Sequence, residues 1–386
     1  MSGGVGRQHR GRLALATIGV SLALSLGVAE LMLRALRPQA VGVSRLPTIY
    51  DPDPRLGYRY RAGATGRIQR LFELDNRVII NSQGFHDAEW GDLGGGRPIL
   101  AVGDSFTAAL HLPVELTWTR IVQARLGELL PEPPRVLNLG LDGSGSEVQL
   151  ALLEENLDRL EPQLVLVAFF ENDVADVRRG PVSRETRGRY VIQPRGPEQA
   201  RSMRRLADEL TGRRMLRSLF EHLYAVRLGV YLWHGDRNLL RTNVISPFHL
   251  GDRGEHPGKT KTRGKGGLRE VFLAFARLAE AWNFQLLVVP VPSREEPGRS
   301  LSTYRGEAGA VGIETLDVQA SLLRSLRRDT RNFADLYWRW DAHLNEYGNA
   351  VFAEAVAEAL AERLGARSPS AAYSGASSYR RMTKRR

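Results

Sequence analysis

The chain has 386 residues, 42% of them apolar, so it can bury a full core and, at about 100–200 residues per domain, holds two or three units. It contains no cysteine, which excludes disulfides, cysteine nucleophiles, thiolate zinc sites and anchoring through a lipidated cysteine. The formal charge is +11, yet residues 46–177 and 266–366 together carry 22 Lys/Arg against 34 Asp/Glu, and the basic excess lies in residues 1–45, 178–265 and 367–386. A nucleic-acid reader carries its basic face on the folded module, so no nucleic-acid partner is expected.

Residues 1–12 form a short arginine-bearing N-terminus, expected on the cytoplasmic side. Leu13 to Leu33 reads LALATIGVSLALSLGVAELML, with Glu30 its one charge. A helix over that stretch reaches roughly 32 Å, enough to cross a bilayer. The reading is a signal anchor, single-pass in the inner membrane, with the following chain on the periplasmic or extracellular face. Gly27 and Ala29 also suit a signal peptide cut before Glu30, and a soluble helix is the third reading.

Residues 46–97 are rich in Pro, Gly, Asp and Arg, and read as a small β-rich lead-in with a strand at 77–80 and a turn at 81–84. An alternation follows. Strands are expected at 99–103, 136–140, 164–170 and 284–291, each a short apolar run of the kind buried parallel strands show. A weaker strand is expected at Asn332–Leu336. Helical spacing covers 117–130, 146–160, 267–282 and about 347–364. Such alternation implies a parallel sheet covered on both faces, with ligands beyond the carboxyl ends of its strands. Within this 98–366 unit, residues 178–265 read as a basic insert, either a lid or a surface embellishment, with one helical stretch at about 200–234. Residues 367–386 read as a disordered basic tail.

Four segments could carry chemistry. Ser105, in Gly103-Asp104-Ser105-Phe106, follows a strand and opens a helix, where backbone N–H groups gather; it could equally be a helix cap. Gly140 ends the next strand and lets a backbone N–H approach a ligand, or simply makes a turn with Asp142 and Gly143. Asn172, in Glu171-Asn172-Asp173, offers a neutral donor to a developing oxyanion, or forms a turn. Asp341 and His343 precede the last helix, where a carboxylate can orient an imidazole that serves a serine elsewhere. His86, His111, His222, His234, His249 and His256 show no zinc-type spacing, so no metal site is expected.

Taken together and in order, these blocks resemble the SGNH hydrolase superfamily, also called the GDSL esterase/lipase family. Gly103-Asp104-Ser105-Phe106 matches its nucleophile block. Gly140 in Asn138-Leu139-Gly140 matches its second block, Asn172-Asp173 its third, and Asp341 with His343 its fifth. Phe170 stands where the third block usually has Gly, and Ala342 alone separates the Asp and His that two residues often separate. The Asp-x-His-Leu-Asn form and the segment 81–85 resemble a membrane-anchored bacterial branch, some of whose members acylate or deacylate cell-surface polysaccharides.

The resemblance implies a flavodoxin-like three-layer α/β/α sandwich with a five-stranded parallel sheet. It implies a Ser105–His343–Asp341 triad, and an oxyanion hole from the N–H groups of Ser105 and Gly140 and the amide of Asn172. The activity so implied is hydrolysis of an O-acyl ester on a lipid, polysaccharide or small molecule, without a cofactor. The same residues would serve an O-acyltransferase, and a non-catalytic module of envelope assembly is the reading from another class.

Overall fold

The computed structural model describes residues 4–36, 49–53, 55–70, 74–93, 96–170, 173, 184–186, 189–191, 215, 218–219, 223–226, 229, 265–292, 305–338 and 343–365. Asn172, Asp341, Ala342, the 367–386 tail and most of the 178–265 insert lie outside the described residues.

The first helix, α1 (Gly4–Leu36), carries the apolar stretch, and its segment Arg12–Ala35 is long and apolar enough to cross a membrane. None of that segment is buried within the protein, so a long apolar surface stands open along it. Its single acidic residue is not left bare. Glu30 accepts the backbone N–H groups of Tyr224 (3.0 Å) and Ala225 (2.8 Å) and pairs with Arg34 at 2.6 Å. The Arg34 guanidinium lies 4.7 Å from the centre of the Tyr224 ring. The one charge in the apolar run therefore holds the start of a helical turn in the insert.

Two antiparallel hairpins follow, β1 (Tyr50–Asp53) with β2 (Gly57–Tyr60), and β3 (Thr65–Arg70) with β4 (Leu74–Ile79). In β4 buried and exposed residues alternate, as in a strand with one wet face. Tyr50, Tyr60, Ile68 and Val78 join the main core.

The central sheet comprises β5 (Ile99–Gly103), β6 (Val136–Gly140), β7 (Leu164–Phe169), β10 (Gln285–Pro290) and β11 (Glu314–Thr315), and the antiparallel pair β8 (Arg184–Thr186) with β9 (Arg189–Val191) falls between β7 and β10 in the chain. Its order is β11-β10-β7-β5-β6, and every pairing is parallel. This is the 2-1-3-4-5 order of the flavodoxin-like doubly wound fold, whose switch point lies between its first and third strands, here β5 and β7. Strands β5, β6 and β7 are buried at every position, which is why they read as continuous apolar runs. Their side chains alternate between two cores. Leu100, Val102, Leu139 and Val167 face α4 (Ser146–Leu160) and α5 (Lys265–Trp282). Ala101, Val136, Leu166 and Val289 face α3 (Trp118–Leu129), α6 (Gln319–Arg328) and α7 (Glu346–Arg363). The architecture is a three-layer α/β/α sandwich.

The fifth strand is not where the sequence placed it. Asn332–Leu336 is a turn of 3₁₀ helix over Phe333–Leu336, with Asn332 and Asp335 forming a reciprocal capping box. The sheet edge is instead β11, two residues long, which pairs through Leu287 with Glu314 and through Val288 with Thr315.

His86 is buried, with its Nδ1 donating to the Ala108 carbonyl at 2.7 Å. Burial pushes its pKa down to about 4. An unfolded histidine titrates near 6.5, so between about pH 6.5 and 4 the unfolded chain binds a proton that the native chain refuses. Stability conferred by the neutral ring is present above that window and falls with pH through it, by up to about 3 kcal/mol. Burial raises the neighbouring Asp87 carboxyl, an opposite slope that a comparison of two proteins sharing Asp87 cancels. Urea unfolding at pH 7.5 and pH 4.5 checks this: His86→Gln should lose about 2–3 kcal/mol less than the parent between the two pH values.

Candidate active site

The loop after β5 opens the short helix α2 (Ser105–Ala108). Asp104, fully buried, is its cap, and its carboxylate accepts the Phe106 N–H at 3.0 Å. Capping thus falls to Asp104 and leaves the Ser105 hydroxyl available. Ser105 is half-buried, and its Oγ lies 2.7 Å from Nε2 of His343. A neutral imidazole with its hydrogen on Nδ1 accepts the serine proton in that geometry.

His343 sits in a loop, so other bonds must hold it. Its carbonyl accepts the Trp338 N–H at 3.1 Å, and the next residue, Leu344, bridges Tyr337. Asn345 caps α7 by accepting the Gly348 N–H at 2.8 Å while its amide donates to the carbonyls of Asp335 and Tyr337. Asn349 donates to the Leu344 carbonyl at 3.0 Å and accepts the Trp118 N–H at 3.2 Å, which ties this loop to α3. His111 is buried and donates from Nε2 to the same Leu344 carbonyl at 2.9 Å. Its ring stacks on that of His343, centroids 4.9 Å apart. The other flank is Phe106, 5.0 Å from the His343 ring, and Phe170 packs on Phe106 at 4.1 Å. The phenylalanine that stands in place of a glycine therefore builds the aromatic wall beside the imidazole.

Of the residues singled out from sequence, the structure brings Ser105 and His343 together. Asn172 and Asp341 fall outside the described residues. Asp173 is fully buried, accepting the Phe170 N–H at 2.9 Å and the Gln149 side-chain amide at 3.0 Å.

The Gly140 N–H donates to Oδ1 of Asn138 at 2.9 Å. The position also demands a glycine for space: a Cβ there would lie 2.2 Å from the Ala108 nitrogen of α2. The next glycine, Gly143, occupies the turn closed by the Ser144 N–H on the Leu141 carbonyl, with φ at +72°. The sequence alone gives no role to Asn138 or His111. The signal for both lies across the fold: Asn138 also donates to the Thr107 carbonyl at 2.8 Å, and His111 reaches 233 positions along the chain.

No protein-family model matches the chain, and no curated protein matches it. Solved structures do. A lipase/acylhydrolase from Enterococcus faecalis is 12% identical, covering 70% of this chain and 98% of its own, with a TM-score of 0.38. The psychrotrophic esterase EstA from Pseudoalteromonas sp. is 13% identical over 69% of this chain and 98% of its own, with a TM-score of 0.37. The acetylxylan esterase Axe2 from Geobacillus stearothermophilus is 14% identical over 69% and 95%, with a TM-score of 0.35.

The space argument for Gly140 is testable without any substrate. Gly140→Ala should lower unfolding stability by about 1–3 kcal/mol or more, because backbone rather than a movable side chain blocks the added methyl. Urea denaturation measures it.

Proposed function

We propose that the chain is a membrane-anchored serine esterase that works through an acyl-enzyme. The observation that carries the reading is the 2.7 Å contact between Ser105 Oγ and His343 Nε2, which joins residues 238 positions apart at a strand end of the sheet. Nucleophile and base within hydrogen-bond reach are what covalent acyl transfer requires.

In this reading His343 takes the Ser105 proton as Oγ attacks the ester carbonyl. Asp341 accepts the Nδ1 hydrogen of His343 and fixes its tautomer. The oxyanion receives hydrogen bonds from the Ser105 N–H and the Asn172 amide. Because the Gly140 N–H is committed to Asn138, the third donor passes to Gly143, whose N–H has no acceptor among the described residues. Collapse of the tetrahedral intermediate expels the alcohol, which leaves with the proton held on His343. Water, deprotonated by the same imidazole, then releases the acid and regenerates the serine hydroxyl. None of these steps needs a metal or a cofactor.

The proposed placement has α1 across the membrane and the esterase outside the cytoplasm, supported by Arg7, Arg10 and Arg12 ahead of the span. The protein should stay with membranes through alkaline carbonate extraction; Edman sequencing of that fraction starting at Glu30 would overturn the anchor.

Activity provides the main test. With p-nitrophenyl acetate, Ser105→Ala should lower kcat on the order of 10⁴–10⁶-fold. Asn172→Ala should cost roughly 10²–10³-fold, the usual loss for one oxyanion donor. A fluorophosphonate should label Ser105 in the folded protein. Most of the activity surviving in Ser105→Ala would end this assignment.

A further inference from the structure

We infer that the β1–β2 hairpin is a working part of the site, because three of its tyrosines clamp Asp142 and so preset the turn Leu141–Ser144 beside the nucleophile's strand. The inference deepens the esterase reading and rests on it.

The clamp uses a different part of Asp142 for each tyrosine. The Asp142 N–H donates to Tyr60 Oη at 2.8 Å, the Asp142 carbonyl accepts from Tyr58 Oη, and its carboxylate accepts from Tyr50 Oη at 3.1 Å. The rings support one another, Tyr50 lying 5.7 Å from Tyr58 and 5.5 Å from Tyr60 between centroids. Asp142, Tyr50 and Tyr60 are all buried, so these bonds form where water cannot substitute for a missing partner. Burial also holds the Tyr60 hydroxyl far above its ordinary pKa, so it remains neutral throughout the working range.

The clamped turn is tied to the reaction centre. The Leu141 N–H donates to the carbonyl of Gly103 at 3.0 Å, two residues before Ser105. Gly143 follows Asp142 directly, at a positive φ that only glycine adopts without strain, and a Cβ there would lie 3.0 Å from Tyr58 Oη. The hydroxyls thus hold the residue on the N-terminal side of the proposed donor and close off the space beside it. An oxyanion donor acts through preorganisation, so its value depends on a turn that does not need to reorder during the reaction. The hairpin tyrosines are positioning residues: they touch no reacting atom and act through Asp142.

The test uses the full chain in detergent. Tyr60→Phe removes the acceptor of the Asp142 N–H, and Tyr50→Phe removes one donor to its carboxylate. Arg61→Ala is the control; it breaks the ion pair with Asp51 at 3.0 Å within the same hairpin without touching Asp142. Tyr60→Phe should lower kcat on p-nitrophenyl acetate by about tenfold, with about 10² as a ceiling for a small misplacement, while KM stays nearly constant. The Tyr60→Phe and Tyr50→Phe losses should be non-additive. Arg61→Ala should keep kcat within about twofold, as surface changes do. Amide hydrogen exchange should quicken over 141–144 in Tyr60→Phe and stay unchanged over 346–363. Wild-type kcat with wild-type exchange over 141–144 in Tyr60→Phe would overturn the clamp. So would an equal loss of kcat in Arg61→Ala, which would make the hairpin a general support. Should Ser105→Ala remain active, the esterase reading fails, and exchange over 141–144 alone still decides whether the tyrosines hold the turn.

Discussion

The arrangement depends on one short hydrogen bond whose two partners arrive by different routes. Ser105 is delivered by the sheet: β5 ends beside β7 at the switch point, and the helix that follows presents the hydroxyl there. His343 has no strand beneath it. Its place is fixed by side-chain amides and a second imidazole bonding to backbone carbonyls on both sides of it. A loop held in this way surrenders conformational entropy residue by residue, and each of those bonds helps to offset it. The density of Asn345, Asn349 and His111 around Leu344 is the physical cost of holding the His343 imidazole on a connection rather than on a regular element.

Close backbone approach is the second constraint. Added methyl groups at Gly103, Gly140 and Gly348 would meet atoms at 2.2, 2.2 and 2.0 Å, respectively. At Gly140 and Gly348 the obstructing atoms are backbone, from α2 and from Leu336. The second strand end is therefore packed main chain against main chain on the helix that carries Ser105, and α7 likewise on the turn at Leu336. Interiors this dense transmit small displacements instead of absorbing them.

Much of this was legible in the sequence, and the exceptions have a common cause. Strands such as Leu164–Phe169 are buried on both faces, so burial appears as an unbroken apolar run; helices such as Ser146–Leu160 keep one apolar stripe. Both signals are local. The edge strand Glu314–Thr315 has neither, being two residues whose strand character consists only of pairing with β10. Asn332–Leu336 carries apolar residues enough for a strand, but its Asn and Asp satisfy a helical turn. Ser105 and His343 were legible because their neighbours in sequence form recognisable blocks. The need for space at Gly140 was not legible, because a glycine reads alike whether its N–H is needed or its missing side chain is, and the obstructing Ala108 lies on another element. The tyrosines on Asp142 reach across 82 to 92 positions, where no periodicity points.

The bond between Glu30 and the amides of Tyr224 and Ala225 also alters what counts as the body of this protein. The apolar helix supplies the acceptor for two backbone donors elsewhere. A version trimmed of that helix to gain solubility would leave two amides seeking water and Arg34's aromatic neighbour uncovered. The apolar helix and the insert are in that sense co-folded, and the helix takes part in shaping the segment that rests on it.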